Sequence, residues 1–147
     1  MKRVIGLLPL FFIGSLQAAG FDEKLDGSLN DQLRAAISAE NYPQAIEILN
    51  LCEASPGECD LNMSVKEDDD ERTPLHWGMV SANDYGNEGK AVDFVIKLLK
   101  MGANPNQTDN LGEEADHVNT VGHWESFDVQ EAISIQNAFA DARAQIM

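Results

Sequence analysis

Two punctuation marks in the middle of the chain, Thr73-Pro74 and Gly102, govern what it can fold into. A threonine caps a helix whose first turn holds proline, where the missing N–H costs nothing. A glycine directly after the last apolar turn suits a left-handed C-cap. Between them the apolar residues fall at helical spacing twice, as Leu75, Trp77, Met79, Val80 and then Val92, Phe94, Val95, Leu98, Leu99. A similar pair precedes it: Leu33, Ala36, Ile37, then Ala45, Ile46, Ile48, Leu49, with Asn41-Tyr42-Pro43 forcing two short helices instead of one long one. Short paired helices with polar fingers between them predict an all-α chain built from repeated units.

The residues also carry a family resemblance. Thr73-Pro74-Leu75-His76-Trp77 resembles the opening of an ankyrin repeat, and the run from Val95 to Asn106, through Gly102-Ala103-Asn104-Pro105, resembles its second helix and closing turn. Asp60-Leu61-Asn62 is similar to the turn closing a preceding repeat, with helices near 29–40 and 43–52. Asp109-Asn110-Leu111-Gly112 resembles the start of a following one, with His117 in the histidine slot, although Glu114, Ala115 and Asp116 depart from the pattern. The resemblance covers about residues 29–119. A helix from about 128 to 146, with Ile133, Ile135, Phe139 and Ile146 among its apolar positions, closes the stack. The resemblance implies a short ankyrin-repeat solenoid of about three helix-pair repeats with degenerate ends and a C-terminal capping helix. It also implies that His76 and His117 serve hydrogen bonds within the stack, and that the protein recognises another protein.

Lys2 and Arg3, the apolar run Val4 to Leu16 and the small residues Ala18, Ala19 and Gly20 form the layout of a secretory signal. Residues 1–18 are expected to be removed, leaving 19–147 as a single ankyrin-repeat-like domain, periplasmic or secreted, with no membrane insertion after cleavage. The run is shorter than the roughly 20 apolar residues a spanning helix needs. Removal takes two cations and no carboxylate, so the charge moves from −15 to −17. A chain this acidic is repelled from phosphate backbones, which excludes nucleic acid and favours a protein partner with a basic surface. Cys52 and Cys59 are the chain's two cysteines; in an exported protein a disulfide between them is favoured over free thiols or a zinc site.

Three stretches lengthen the repeat. Ser81–Gly89 is expected to be a surface loop, offering Asn83, Asp84, Tyr85 and Asn87 to a partner; Glu53–Cys59 is pinned by the disulfide; Lys66–Glu71 is an acidic finger whose Asp68, Asp69, Asp70 and Glu71 suit a basic surface. The acidic run lacks the spaced ligands and central glycine of a calcium loop, so no metal or cofactor is expected. His123 beside Trp124 is tied to no nucleophile by any motif. These readings describe a non-enzymatic periplasmic protein-binding module, such as an immunity protein that neutralises a toxic effector. The alternative is a scaffold or chaperone-like accessory for an envelope enzyme.

Overall fold

The computed structural model describes residues 27–85, 87–117 and 129–146. The expected signal segment 1–18, Gly86 and the His123-Trp124 pair lie outside the described residues. Leu33–Met147 form one compact unit. The described residues ahead of it open α1 (Leu29–Ser38), where Ser28 Oγ accepts the Asp31 N–H at 3.2 Å. No helix among the described residues is long and apolar enough to cross a membrane.

The fold is mostly helical. Leu33, Ala36 and Ile37 form the buried stripe of α1, and the helix ends with Glu40 in the left-handed region at φ 55°. There the Glu40 N–H reaches Ile37 O at 2.9 Å and the Asn41 N–H reaches Ala36 O at 2.9 Å, the paired bonds of a Schellman cap. Asn41 Oδ1 then accepts the Gln44 N–H at 3.3 Å and caps α2 (Tyr42–Ala54), whose core face is Tyr42, Ala45, Ile48, Leu49 and Cys52. A one-turn 3₁₀ helix at Pro56–Glu58 returns the chain so that Cys59 pairs with Cys52 in a disulfide, as the sequence suggested.

The expectation of a purely helical chain is corrected at the acidic finger. Val65–Glu67 (β1) and Asp70–Arg72 (β2) pair antiparallel, Val65 opposite Arg72 and Glu67 opposite Asp70, through a turn at Asp68-Asp69. Val65 is buried and anchors the hairpin: its carbonyl accepts the Trp77 indole N–H at 2.8 Å.

Helix α3 (Pro74–Tyr85) starts at Thr73, whose Oγ1 accepts the His76 N–H at 3.4 Å. It runs farther than the sequence reading allowed. Ser81 and Ala82, expected in a surface loop, are buried helical residues, and Asn83 is only 3% exposed, so it is withdrawn from the partner-facing set. The cause is tertiary: the Tyr42 hydroxyl reaches Ser81 Oγ at 2.8 Å and donates to Trp77 O at 3.1 Å, giving polar helix residues buried partners that local composition does not reveal. The same helix packs on α4 (Ala91–Lys100) so closely that a Cβ on Gly78 would lie 2.7 Å from Val95 Cγ2 and 3.0 Å from Phe94 Cδ2.

Helix α4 is the centre of the core. Phe94, Val95 and Leu98 are fully buried, the Phe94 ring lies 5.1 Å from that of Tyr42, and α4 packs against α2, α3 and α5. It ends on a second Schellman cap, with Gly102 at φ 102° donating to Leu99 O and Ala103 donating to Leu98 O. Helix α5 (Val129–Ile146) seats Ile135, Phe139 and Ala142 on one stripe; Ile133 and Ile146, expected among its apolar positions, are 44% and 54% exposed. Where the third repeat was expected, the described residues hold a 3₁₀ turn at Ala115–His117. His117 is exposed there, 3.9 Å from Glu114 and Asp116, instead of making the hydrogen bonds within the stack that the resemblance implied.

Candidate protein-binding surface

The acidic hairpin is a braced projection. Its two-residue turn puts Asp68 at φ 56°, a conformation aspartate tolerates better than most residues. Asp68 and Asp69 are exposed at the tip. Asp70 turns back toward Arg72 at 3.8 Å, which screens part of its charge. Glu71 engages through its backbone: its N–H donates to Asn110 Oδ1 at 3.1 Å and its carbonyl accepts the Asn110 N–H at 3.1 Å. Asn110 Nδ2 also donates to Asp69 O at 2.9 Å, so the next loop grips the outer strand along its length. On the other side Ser38 Oγ donates to Glu67 Oε2 at 2.6 Å and Arg34 Nε donates to Ser64 O at 3.4 Å.

Below the tip the polar groups are consumed by structure. Arg72 lies 5.1 Å over the Trp77 ring and 3.4 Å from the Asp109 carboxylate. Burial alone would raise the Asp109 pKa, yet the Glu113 and Leu111 N–H groups, with help from Arg72, hold it below the ordinary carboxylate value. His76 is fully buried. Its Nε2 lies 2.8 Å from Glu113 O, and because a carbonyl only accepts, Nε2 carries the proton and Nδ1 accepts from Thr73 Oγ1 at 2.7 Å. Burial pushes its pKa down, so the ring is neutral, with both nitrogens occupied. This is the structural role the sequence implied for His76.

The second expected segment divides. Asp84 and Tyr85 are exposed at the end of α3, Tyr85 at 61%. Asn87 acts within the fold: its Oδ1 accepts the Asp93 N–H at 3.2 Å and so caps α4, because Lys90, at φ 70°, makes no side-chain cap. Tyr85 borders one surface depression and Glu71 another, with no residue in common between their linings.

Glu114, Asp116 and His117 approach closely enough to share a cation. The cation the two carboxylates share is Arg143: its Nη2 donates to Asp116 Oδ1 at 2.8 Å and to Glu114 Oε1 at 3.2 Å, and its Nε donates to Asn106 Oδ1 at 3.0 Å. Burial would raise the Asp116 pKa, but the Arg143 guanidinium outweighs it and holds the carboxyl low. The arrangement fastens α5 to the preceding turn. Sequence reading missed it because Arg143 stands 27 residues from Asp116.

Asn62 and Asn106 are likewise used internally: Asn62 Oδ1 accepts the Asn104 N–H at 2.8 Å and Asn106 Oδ1 accepts from Arg143. Each also sits in an Asx turn of the same form, Asp60 Oδ1 accepting the Asn62 N–H and Asn104 Oδ1 accepting the Asn106 N–H, both at 2.9 Å. The same turn thus recurs after α2 and after α4.

No curated protein and no solved structure matches the chain. The family model for the ankyrin repeat matches residues 70–110, which run from β2 through both helices to the Asn110 clasp. Ankyrin repeats are protein–protein interaction modules and are typically non-enzymatic. The hairpin, the Thr73-capped helix with its buried histidine, the Gly102 cap and the match over this same stretch together make residues 70–110 an ankyrin repeat.

Proposed function

We propose that the protein acts by stoichiometric binding of another protein with a basic surface, outside the cytoplasm. One observation carries the reading: the exposed carboxylates of Asp68 and Asp69 stand on a hairpin held from both sides, by Ser38 and by Asn110. A braced acidic tip loses little conformational freedom on binding. Asp84 and Tyr85 add a second exposed acidic and aromatic segment on the same repeat. Asp70 and Glu71 contribute charge from the flank of the hairpin.

In this reading α1 with α2 and α3 with α4 are successive helix pairs, and the Ala115–His117 turn with α5 is a degenerate third that closes the stack. Export is supported by the basic and apolar start of the chain, and by the Cys52–Cys59 disulfide, since such bonds persist in oxidising compartments. Charge complementarity raises association rate and specificity, which suits neutralisation of a delivered toxic effector, as an immunity protein performs, better than slow assembly on a scaffold.

Affinity capture from a periplasmic extract of the source organism, followed by the mass of the complex, tests the proposal. One basic protein retained at a fixed integral ratio is expected. Retention of nothing above background, or turnover of a substrate by the purified chain, contradicts it.

A further inference from the structure

The depression beside Tyr85 has a chemistry of its own. Its floor is made by buried Tyr42, Ser81 and Ala91, and its edge by exposed Glu40, Tyr85, Glu88 and Gly89. The polar atoms of the floor are already spent, since the Tyr42 hydroxyl is held by Ser81 Oγ and Trp77 O. The floor therefore offers an aromatic ring and a methyl group. Glu40 enters from the α1–α2 turn and Glu88 from the α3–α4 connection. Among the described residues neither carboxylate is paired with a cation, and Lys90, the nearest in sequence, is turned 3.9 Å from Asp93. Burial pushes the Tyr42 phenol up to about 12, and the charge of Glu40 adds to the rise, so negative potential reaches the floor.

We propose that this depression is the socket for a single arginine side chain of the partner. The inference rests on the protein-binding reading and names the chemistry of one contact within it. The aliphatic stem lies over Ala91 and the Tyr42 ring, as long cationic side chains cover apolar surface while keeping the head at the edge. The guanidinium stacks on Tyr85 and donates to Glu40 and Glu88. Arginine fits better than lysine because its planar fork both stacks on an aromatic face and serves two carboxylates at once. Arginine and tyrosine are also the residue types in which interface binding energy concentrates.

Titration of the isotope-labelled intact chain with N-acetyl-arginine-amide, followed by amide NMR, tests the socket, with N-acetyl-citrulline-amide as the uncharged control of the same shape. The arginine derivative is expected to shift the amides of Ser81, Tyr85, Gly89 and Ala91, and the citrulline derivative to leave them nearly unmoved. Affinity should fall about 2–5-fold in Tyr85→Ala and roughly 3–10-fold in the double variant Glu40→Gln, Glu88→Gln. Both variants alter exposed side chains, so each reports independently of the other. Equal shifts with citrulline, or arginine shifts confined to Asp68 and Asp69, overturn the socket and leave the protein-binding reading intact. Failure to capture any partner, with the arginine shifts present, removes that reading and leaves the socket.

Discussion

The imidazole Nε2 of His76 lies 2.8 Å from the main-chain carbonyl of Glu113, so α3 is bonded to the loop that follows α4. In the neutral ring Nδ1 accepts from Thr73 while Nε2 donates; protonation would keep the Nε2 bond but end acceptance at Nδ1. Its energetics depend on pH. The folded-state pKa of His76 lies below its ordinary 6.5, mainly through burial, so the unfolded chain takes up the proton first. The stabilisation is complete above pH 6.5 and declines as the pH falls through that value toward the folded pKa. Urea denaturation at pH 7.5 and 5.5 should show the parent losing up to about 1.4 kcal/mol per pH unit relative to His76→Gln. Asp109 adds a separate, more acidic loss: its folded pKa is below 3.8, so its contribution disappears as pH falls through that folded value.

Leu75 and Leu99 are buried at 1% and 5% exposure, one on each helix of the matched repeat. Replacing either with alanine should cost roughly 2–5 kcal/mol, the sum of lost transfer energy and a cavity. Chemical denaturation measures it. Unchanged midpoints in both variants would mean that neither side chain sits in the core.

The two Schellman caps make an internal comparison. Gly102→Ala places a Cβ in open space but at φ 102°, so the cost, about 1–2 kcal/mol, is purely conformational. Glu40→Gly relieves the same conformation at φ 55° and should raise stability by up to about 1 kcal/mol. Opposite shifts in thermal midpoint are expected. A loss of stability in Glu40→Gly would mean that the glutamate side chain itself holds the turn.

Gly78 was not singled out by any sequence signal. Gly78→Ala improves helix propensity by about 1 kcal/mol but drives a Cβ to 2.7 Å from Val95 Cγ2 and 3.0 Å from Phe94 Cδ2, so a buried neighbour must shift. Overpacking costs about 1–3 kcal/mol, so the variant should be less stable than the parent, or at best equal to it. Calorimetry would detect a gain if α3 and α4 can move apart.

What was legible in the sequence is local. Thr73-Pro74 marked the start of α3 to the residue, Gly102 marked the end of α4, and the last helix was expected within a residue of Val129–Ile146. The cysteine pairing followed from there being two cysteines and an export-like start. What was illegible depends on partners far along the chain. Asp68 to Glu71 are poor strand formers, and the hairpin is braced by Asn110, 39 residues beyond Glu71. Ser81 and Asn83 looked like loop residues because the Tyr42 hydroxyl that buries Ser81 comes from another helix pair. His117 matched the histidine slot by position, yet its short 3₁₀ turn leaves the ring exposed beside Glu114 and Asp116. Of the residues expected to meet a partner, Asp68, Asp69, Asp70, Glu71, Asp84 and Tyr85 remain available, whereas Asn83 is buried and Asn87 caps α4.

The most direct measurement is the association and dissociation rate of the captured partner at low and high salt, for the parent, Tyr85→Ala and the triple variant Asp68→Asn, Asp69→Asn, Asp70→Asn. The triple variant should associate about tenfold more slowly at low salt, with the difference shrinking as salt rises, because the tip acts by long-range attraction. Tyr85→Ala should chiefly speed dissociation, by roughly tenfold or more, because it removes a buried aromatic contact. Rates equal to the parent's in both variants, at both salt concentrations, would contradict the assignment of binding to the acidic hairpin and Tyr85.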